Sequence, residues 1–311
     1  MGELMSLEFE QELNRIVDAA RIAKQEPMKK HTTFRVGGPA DYFVTPKTVE
    51  EVAQLVKLCR QMDMPYYVVG NGSNLLVSDD GYRGVIIQIY KEMNAIRFEE
   101  TPEGAILYAQ AGALLSKVGS AALVEGLTGV EFAAGIPGTV GGAMVMNAGA
   151  YGGEMKDVVR TVTVLTPEGQ VMVLANEELD FGYRTSVVSK KEYIVLEASF
   201  SLSRGDKDAI KARMEELREQ RTTKQPLEYP SAGSTFKRPK GYFAGKLIQD
   251  AGLRGFRIGG AQVSEKHCGF VINAEDATAE EIWTLMCRVS ALVEEKFGVR
   301  LEPEVKRLGE F

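Results

Sequence analysis

The chain has 311 residues, 44% of them hydrophobic and 26% charged, with a formal net charge of -6. That length exceeds one hydrophobic core and predicts two or three domains, while the acidic balance excludes a chain built to coat a nucleic-acid backbone or an anionic membrane surface. Three cysteines (Cys59, Cys268 and Cys287) with no CxxC pair, and only His31 and His267 as histidines, argue against a disulfide framework and against a zinc site; no metal is expected.

The N-terminal stretch mixes acids and apolar residues at helical spacing, which predicts a helix over 7–24, and it lacks the basic-then-apolar order of a secretory signal. A cytoplasmic protein is the plain reading. Residues 33–45 alternate toward strand. Thr48 followed by Glu51 forms a capping box, and Val49, Val52, Leu55, Val56 and Cys59 then fall on one helical face. A β-prone run at 66–69 stops at the loop Gly70-Asn71-Gly72-Ser73-Asn74, and strand character returns over 75–77 and 85–89. An α/β unit therefore closes near residue 90.

Farther along, strand-like runs at 105–109, 158–166, 170–174 and 193–200 alternate with one helix near 116–125. The uncharged run 132–153 is long enough to imitate a membrane span, but Pro137, Asn147 and its many glycines make it a buried, glycine-rich loop, so no membrane insertion is expected. Residues 203–207 look like a linker that opens a polar helix over 208–220. The last helix is marked by a second capping box, Thr278 with Glu281, and by the apolar stripe Ile282, Leu285, Met286, Val289, Leu292, Val293 and Phe297. Residues 298–309 read as a strand returning to pack on an earlier domain.

Two glycine-rich segments can carry chemistry. In Gly70-Asn71-Gly72-Ser73-Asn74, small residues after a strand let backbone N–H groups approach a phosphate closely; a tight structural turn explains the same residues equally well. It is not a dinucleotide fingerprint of the GxGxxG kind, because the third glycine would fall at Leu75 and a strand follows where a helix is needed. The run from Gly135 to Ala143 offers backbone amides beside apolar residues, which suits a flat ring with a diphosphate tail, or else marks close packing that excludes side chains.

Several motifs, taken together, closely resemble the UDP-N-acetylenolpyruvoylglucosamine reductase (MurB) family. They are His31-Thr32-Thr33-Phe34-Arg35-Val36-Gly37-Gly38-Pro39-Ala40, Val69 to Leu75, Gly135-Ile136-Pro137-Gly138 through Asn147-Ala148-Gly149-Ala150-Tyr151-Gly152, Gly182-Tyr183-Arg184, Ala232-Gly233-Ser234-Thr235-Phe236-Lys237, Ile258-Gly259-Gly260-Ala261 and Leu301-Glu302-Pro303-Glu304-Val305. They occur in family order from about residue 30 almost to the C-terminus. The resemblance implies an α+β protein: an FAD-binding fold of the vanillyl-alcohol-oxidase/PCMH type in two subdomains, 1–90 and 91–203, with 298–311 returning to pack on the second, and a C-terminal α/β substrate-binding domain over 204–297.

It further implies NADPH as hydride donor and UDP-N-acetylglucosamine enolpyruvate as substrate, reduced to UDP-N-acetylmuramate in peptidoglycan precursor synthesis. FAD contacts carry over to Gly70, Asn71, Gly72, Ser73, Asn74, Pro137, Gly138, Gly141 and Arg221, and substrate contacts to Lys224, Lys237 and Arg238, the last standing where other members have asparagine. Covalent relatives attach the flavin through His or Cys; Asn71 and Ser73 in this loop imply non-covalent FAD. The short connection from Arg184 to Tyr193 matches the subtype without the extra tyrosine-bearing loop.

By the same resemblance the catalytic residues are Arg184, Ser234 and Glu304. Hydride arriving at the methylene carbon of the enolpyruvyl group pushes charge into its carboxylate, and a guanidinium such as Arg184 can hold that carboxylate through two parallel hydrogen bonds. Ser234 is the implied proton donor to the carbon bearing the ether oxygen, with Lys224 and Lys237 as candidates to stabilise its conjugate base. On the residues alone, Ser234 reads as a loop hydroxyl serving local backbone. Glu304 beside a substrate carboxylate is expected to have a raised pKa or to contact Arg184. A nucleotide-binding sensor that has lost catalysis, and an oxidase of the wider superfamily, are the alternatives; the three catalytic matches oppose the first and the missing flavin-attachment residue opposes the second.

Overall fold

The computed structural model describes residues 2–311, with side chains from Leu7 onward. It divides into two compact units, each assembled from three stretches of chain. The first takes residues up to Lys24, Tyr42–Asn71 and Gly84–Glu219; the second takes Gln25–Asp41, Gly72–Arg83 and Gln220–Phe311.

In the first unit the helix Gly2–Ile16 is shorter than its apolar spacing predicts. Asp18 stops it, because its carboxylate accepts the Ala20 amide at the start of a short 3-10 turn, and strand Ile22–Pro27 follows where helix was expected. The helix Val49–Gln61 buries Val52, Leu55, Val56 and Cys59 as its spacing requires. Its capping box is only half formed. Thr48 Oγ1 accepts the Glu51 amide at 3.1 Å, but the Glu51 carboxylate turns to the Arg21 guanidinium, at 2.6 and 2.7 Å, and to the Lys47 amide. A bidentate arginine outcompetes the single backbone donor of the box.

Strand Tyr66–Val69 runs parallel to Tyr82–Gln88, with Val69 opposite Gln88, and releases the chain into the first glycine loop. A larger antiparallel sheet has the order Val171–Ala175, Val159–Leu165, Ile194–Arg204, Gly104–Gln110 and Ile96–Thr101. Its inner positions, including Leu107, Val162, Val164 and Phe200, join Phe9, Leu13, Leu55 and Ile87 in one core. The expected glycine-rich loop contains a helix, Val140–Val145, capped by Thr139, whose Oγ1 accepts the Gly142 amide. Its glycines serve packing as well as turning: a Cβ on Gly141 would stand 3.2 Å from the Ala111 side chain.

The second unit is organised by the helix Ala279–Phe297. Both halves of its predicted capping box form: Thr278 Oγ1 accepts the Glu281 amide and Glu281 accepts the Thr278 amide, each at 3.1 Å. Of the predicted stripe, Ile282, Leu285, Met286, Val289 and Val293 are buried with Phe34, Val36, Leu76, Ile248, Val263 and Leu301, while Leu292 and Phe297 are partly buried against this core. A three-stranded antiparallel sheet, Arg257–Ile258, Ala261–Val263 and Val271–Asn273, and the helix Ala244–Asp250 complete the unit. Of the expected terminal strand only Lys306–Leu308 forms, parallel to Leu75–Val77. No helix among the described residues is long and apolar enough to cross a membrane.

Candidate active site

Ser234 and Glu304 are brought onto one hydrogen-bonded frame in the second unit. Segment 235–237 lies beside 302–304: the Glu304 amide donates to the Thr235 carbonyl and the Lys237 amide to the Glu302 carbonyl, both at 2.9 Å, and Phe236 bridges to Pro303. Thr235 is fully buried, its Oγ1 accepting the Val271 amide at 2.8 Å and its own amide donating to the Gly269 carbonyl at 2.9 Å. Ser234 precedes this anchor and follows Gly233, whose φ of 74° turns the chain, and the residue is exposed next to a buried neighbour. Glu304 is 9% exposed.

The end of the first glycine loop belongs to the same frame. Asn74 Nδ2 donates to the Glu304 carbonyl at 3.1 Å, and the Asn74 carbonyl accepts the Lys306 amide at 3.0 Å. Gly72 is required where it stands, because its φ is 61° and a Cβ there would lie 2.0 Å from the His31 carbonyl oxygen. In the first unit a Cβ on Gly70 would lie 2.3 Å from Thr139 Oγ1, and Asn71 Nδ2 donates to the Pro137 carbonyl at 3.1 Å. Among the described residues, the amides of Asn71, Gly72, Ser73 and Asn74 donate to no protein acceptor. A run of four free N–H groups on a loop whose Gly70 and Gly72 have no room for a Cβ fits a diphosphate.

The second glycine segment differs from its expectation of open amides. The N–H groups of Gly138, Val140, Gly141 and Gly142 donate to the Ile136, Ala113 and Ala111 carbonyls and to Thr139 Oγ1. A local turn, the carbonyls of Ala111 and Ala113 and the Thr139 cap consume those donors, and Gly138 in turn accepts the Leu115 amide. Pro137, Gly138 and Gly141 thus stand on a backbone packed against Ala111 and Ala113.

Arg184 occupies the tip of a two-residue turn in the first unit. Gly182 and Thr185 exchange backbone hydrogen bonds across it, at 3.0 and 3.4 Å. Arg184 has φ 56°, a left-handed conformation uncommon outside glycine and asparagine, and its guanidinium carbon lies 5.1 Å from the Tyr183 ring centroid. Buried Asn147 and Ser186 anchor the turn: Asn147 Nδ2 donates to the Gly182 carbonyl at 3.2 Å and Ser186 Oγ to the Val145 carbonyl at 2.9 Å. Neither had a functional assignment from the residues, although the Asn-Ala-Gly-Ala-Tyr-Gly motif was visible.

The remaining predicted residues lie in the second unit. Lys224 is exposed in the last turn of the helix Lys207–Lys224, where Arg221 Nε donates to Gln225. The Lys237 ammonium pairs with the Glu302 carboxylate, and the Arg238 guanidinium lies 4.4 Å over the Phe243 ring. His267 has a structural task. Its Nδ1 accepts the Gly269 amide at 3.0 Å, its ring meets Phe270 edge-on, and burial pushes its pKa below the ordinary histidine value. The loop it holds supplies the carbonyl that anchors Thr235.

Comparison with known proteins gives this geometry a family. Residues 40–175 match the FAD binding domain family, and residues 225–308 match the C-terminal domain of UDP-N-acetylenolpyruvoylglucosamine reductase. A UDP-N-acetylenolpyruvoylglucosamine reductase of Lachnoclostridium phytofermentans is 54% identical over 300 residues, covering 96% of this chain and 97% of its own. That of Clostridioides difficile is 52% identical over 295 residues, covering 95% and 96%. The crystal structure of the reductase from Thermus caldophilus superposes with a TM-score of 0.78 at 37% identity, over 93% of this chain and 99% of that one. The 4-ethylphenol oxidase of Gulosibacter chungangensis shares the fold alone, with a TM-score of 0.50 at 14% identity over 64% of this chain and 42% of its own. The expected fold, an FAD-binding unit of the PCMH type with a C-terminal substrate-binding domain, holds, and the chain belongs to the UDP-N-acetylenolpyruvoylglucosamine reductase family.

Proposed function

We propose that the protein reduces UDP-N-acetylglucosamine enolpyruvate to UDP-N-acetylmuramate, using non-covalent FAD and NADPH, in the cytoplasm. The observation that carries this reading is the shared frame of Ser234, Glu304 and Asn74, which ties a proton-bearing hydroxyl and a carboxyl group to the loop with four free amides. The three cysteines are unpaired, as suits a reducing compartment.

Bound FAD would supply the hydride chemistry that links NADPH to the methylene carbon of the enolpyruvyl group. The free amides of 71–74 would hold its diphosphate, and Pro137, Gly138, Gly141 and Arg221 are its further contacts by resemblance. Arg184 is the residue for the substrate carboxylate: a fork of N–H donors matches the two oxygens on which negative charge grows as the double bond is attacked. Ser234 gives a proton to the carbon bearing the ether oxygen and regains one from solvent. Glu304 takes the third catalytic role, one open to a carboxyl group that is neutral or paired with a cation. Lys224, Lys237 and Arg238 supply positive charge for the substrate diphosphate in a chain whose net charge is -6.

Anaerobic flavin spectroscopy tests the reading. Flavin reduced by NADPH is expected to reoxidise rapidly on mixing with UDP-N-acetylglucosamine enolpyruvate. Reoxidation by oxygen but not by this substrate would favour an oxidase. Ser234→Ala is expected to leave reduction by NADPH intact and to slow reoxidation by the substrate about 10²- to 10⁴-fold, the usual weight of a proton-transfer group. Equal loss in both half-reactions would remove Ser234 from its role.

A further inference from the structure

We infer that Asn147 is the positioning residue for Arg184, so that the hold on the substrate carboxylate is set by an amide that touches no substrate. This rests on the role given to Arg184 above. Asn147 is 1% exposed, and every hydrogen-bonding direction visible on its side chain is directed inside the first unit. Its Nδ2 donates to Glu154 Oε2 at 2.5 Å and to the Gly182 carbonyl at 3.2 Å, and its Oδ1 accepts the Lys156 amide at 2.9 Å.

Each of those three partners is itself fixed. Glu154 starts the 3-10 turn Met155–Asp157, its amide donating to the Asp157 carboxylate at 3.0 Å, and the Lys156 ammonium pairs with the Glu154 carboxylate. The Gly182 carbonyl is the residue of the turn that also receives the Thr185 amide, so the Asn147 bond reaches the base of the two-residue tip carrying Tyr183 and Arg184. A long arginine on a surface turn has many rotamers and a left-handed backbone to sustain. Binding a planar carboxylate through two bonds tolerates little displacement, and a shift of about 1 Å can cost roughly 10²-fold in rate. Asparagine suits the post on two counts: it accepts its own left-handed backbone, φ 44°, and it combines two donors with one acceptor. An aspartate there keeps the shape and the backbone but presents an oxygen to both Glu154 and the Gly182 carbonyl.

The test uses the full-length, flavin-loaded protein. Asn147→Asp is expected to slow reoxidation of reduced flavin by UDP-N-acetylglucosamine enolpyruvate about 10- to 100-fold. It should also weaken the equilibrium affinity for UDP-N-acetylmuramate, whose lactyl carboxylate Arg184 would hold, measured by calorimetry, while reduction by NADPH stays within about twofold. Asn147→Gly, which keeps the left-handed backbone and deletes the tether, serves if the aspartate variant does not fold, with flavin content and the thermal midpoint reporting integrity. In an Arg184→Asn background, neither change should cause any further loss, because the residue through which Asn147 acts is gone.

Losses that multiply in the double variants would overturn the proposal, as would variants of Asn147 that retain both substrate reoxidation and product affinity. If Arg184→Asn by itself leaves both unaltered, the reading of Arg184 fails first. If Arg184→Asn impairs both and the Asn147 variants impair neither, only the positioning role fails.

Discussion

His267 carries an ionisation that the folded chain resists. Its Nδ1 is an acceptor for the Gly269 amide, which requires that nitrogen to be unprotonated, and burial further disfavours the cation. The folded-state pKa is therefore below the unfolded value of about 6.5. With a depressed folded pKa, the unfolded chain binds the proton first as pH falls, so stability is full above about pH 6.5 and declines as pH drops through and below it. Denaturant midpoints compared between the wild type and His267→Gln from pH 7.5 to 5 should diverge, the wild type losing more on acidification. Parallel curves would show that this imidazole does not titrate with folding. Because the loop held by His267 anchors Thr235, the same acidification is felt next to Ser234. In the sequence His267 is one isolated histidine at no ligand-like spacing, which suits a structural task without saying what it holds. Its task depends on Gly269 and Thr235, which only the fold makes neighbours.

At the scale of elements, boundaries followed local chemistry closely wherever one residue controlled them. Thr278 and Glu281 make both halves of their box, and Asp79 adds bonds from its carboxylate to the Ala279 and Glu280 amides at 2.8 and 3.0 Å. The cap is thus shared between a local residue and a remote one. Thr278→Ala should cost about 1 kcal/mol in chemical unfolding, the ordinary weight of a cap, and leave flavin content unchanged; a loss of several kcal/mol would mean that Asp79 depends on Thr278. At Thr48 the same pattern in the sequence gave only half a box, because Arg21 claims Glu51 from outside the motif. The helix Val140–Val145 was hidden for a different reason. Glycines at 141 and 142 are poor helix formers, and the segment is helical through the Thr139 cap and close packing on Ala111. The three positions assigned to catalysis by resemblance, by contrast, stood out through motifs in order, while the residues that hold their backbones lie outside any periodic signal.

At the scale of the whole molecule, local periodicity does not record which stretches of chain share a core. In the second unit, the apolar face of the helix Ala279–Phe297 is completed by Phe34, Val36 and Leu76, with exposures of 0%, 4% and 0%. The strand Lys306–Leu308 has Leu75–Val77 as its partner, and the buried Asn273 side chain donates to the Phe34 carbonyl at 3.1 Å. Phe34, Val36 and the strand Leu75–Val77 come from chain well before Gln220, where the C-terminal stretch of the unit begins. Each of the three lost apolar side chains contributes about 1.5–3 kcal/mol by burial, against a typical domain stability of about 5–15 kcal/mol. A fragment of residues 220–311 retains the capping box and the apolar stripe of the last helix yet lacks the surfaces that cover it. It should therefore show helical far-ultraviolet dichroism without a cooperative urea transition, and its amide proton spectrum should be poorly dispersed. A sharp transition with dispersed resonances would mean that the C-terminal segments close their own core. The contributions of Phe34, Val36 and Leu76 would then be additions to a fold already complete without them.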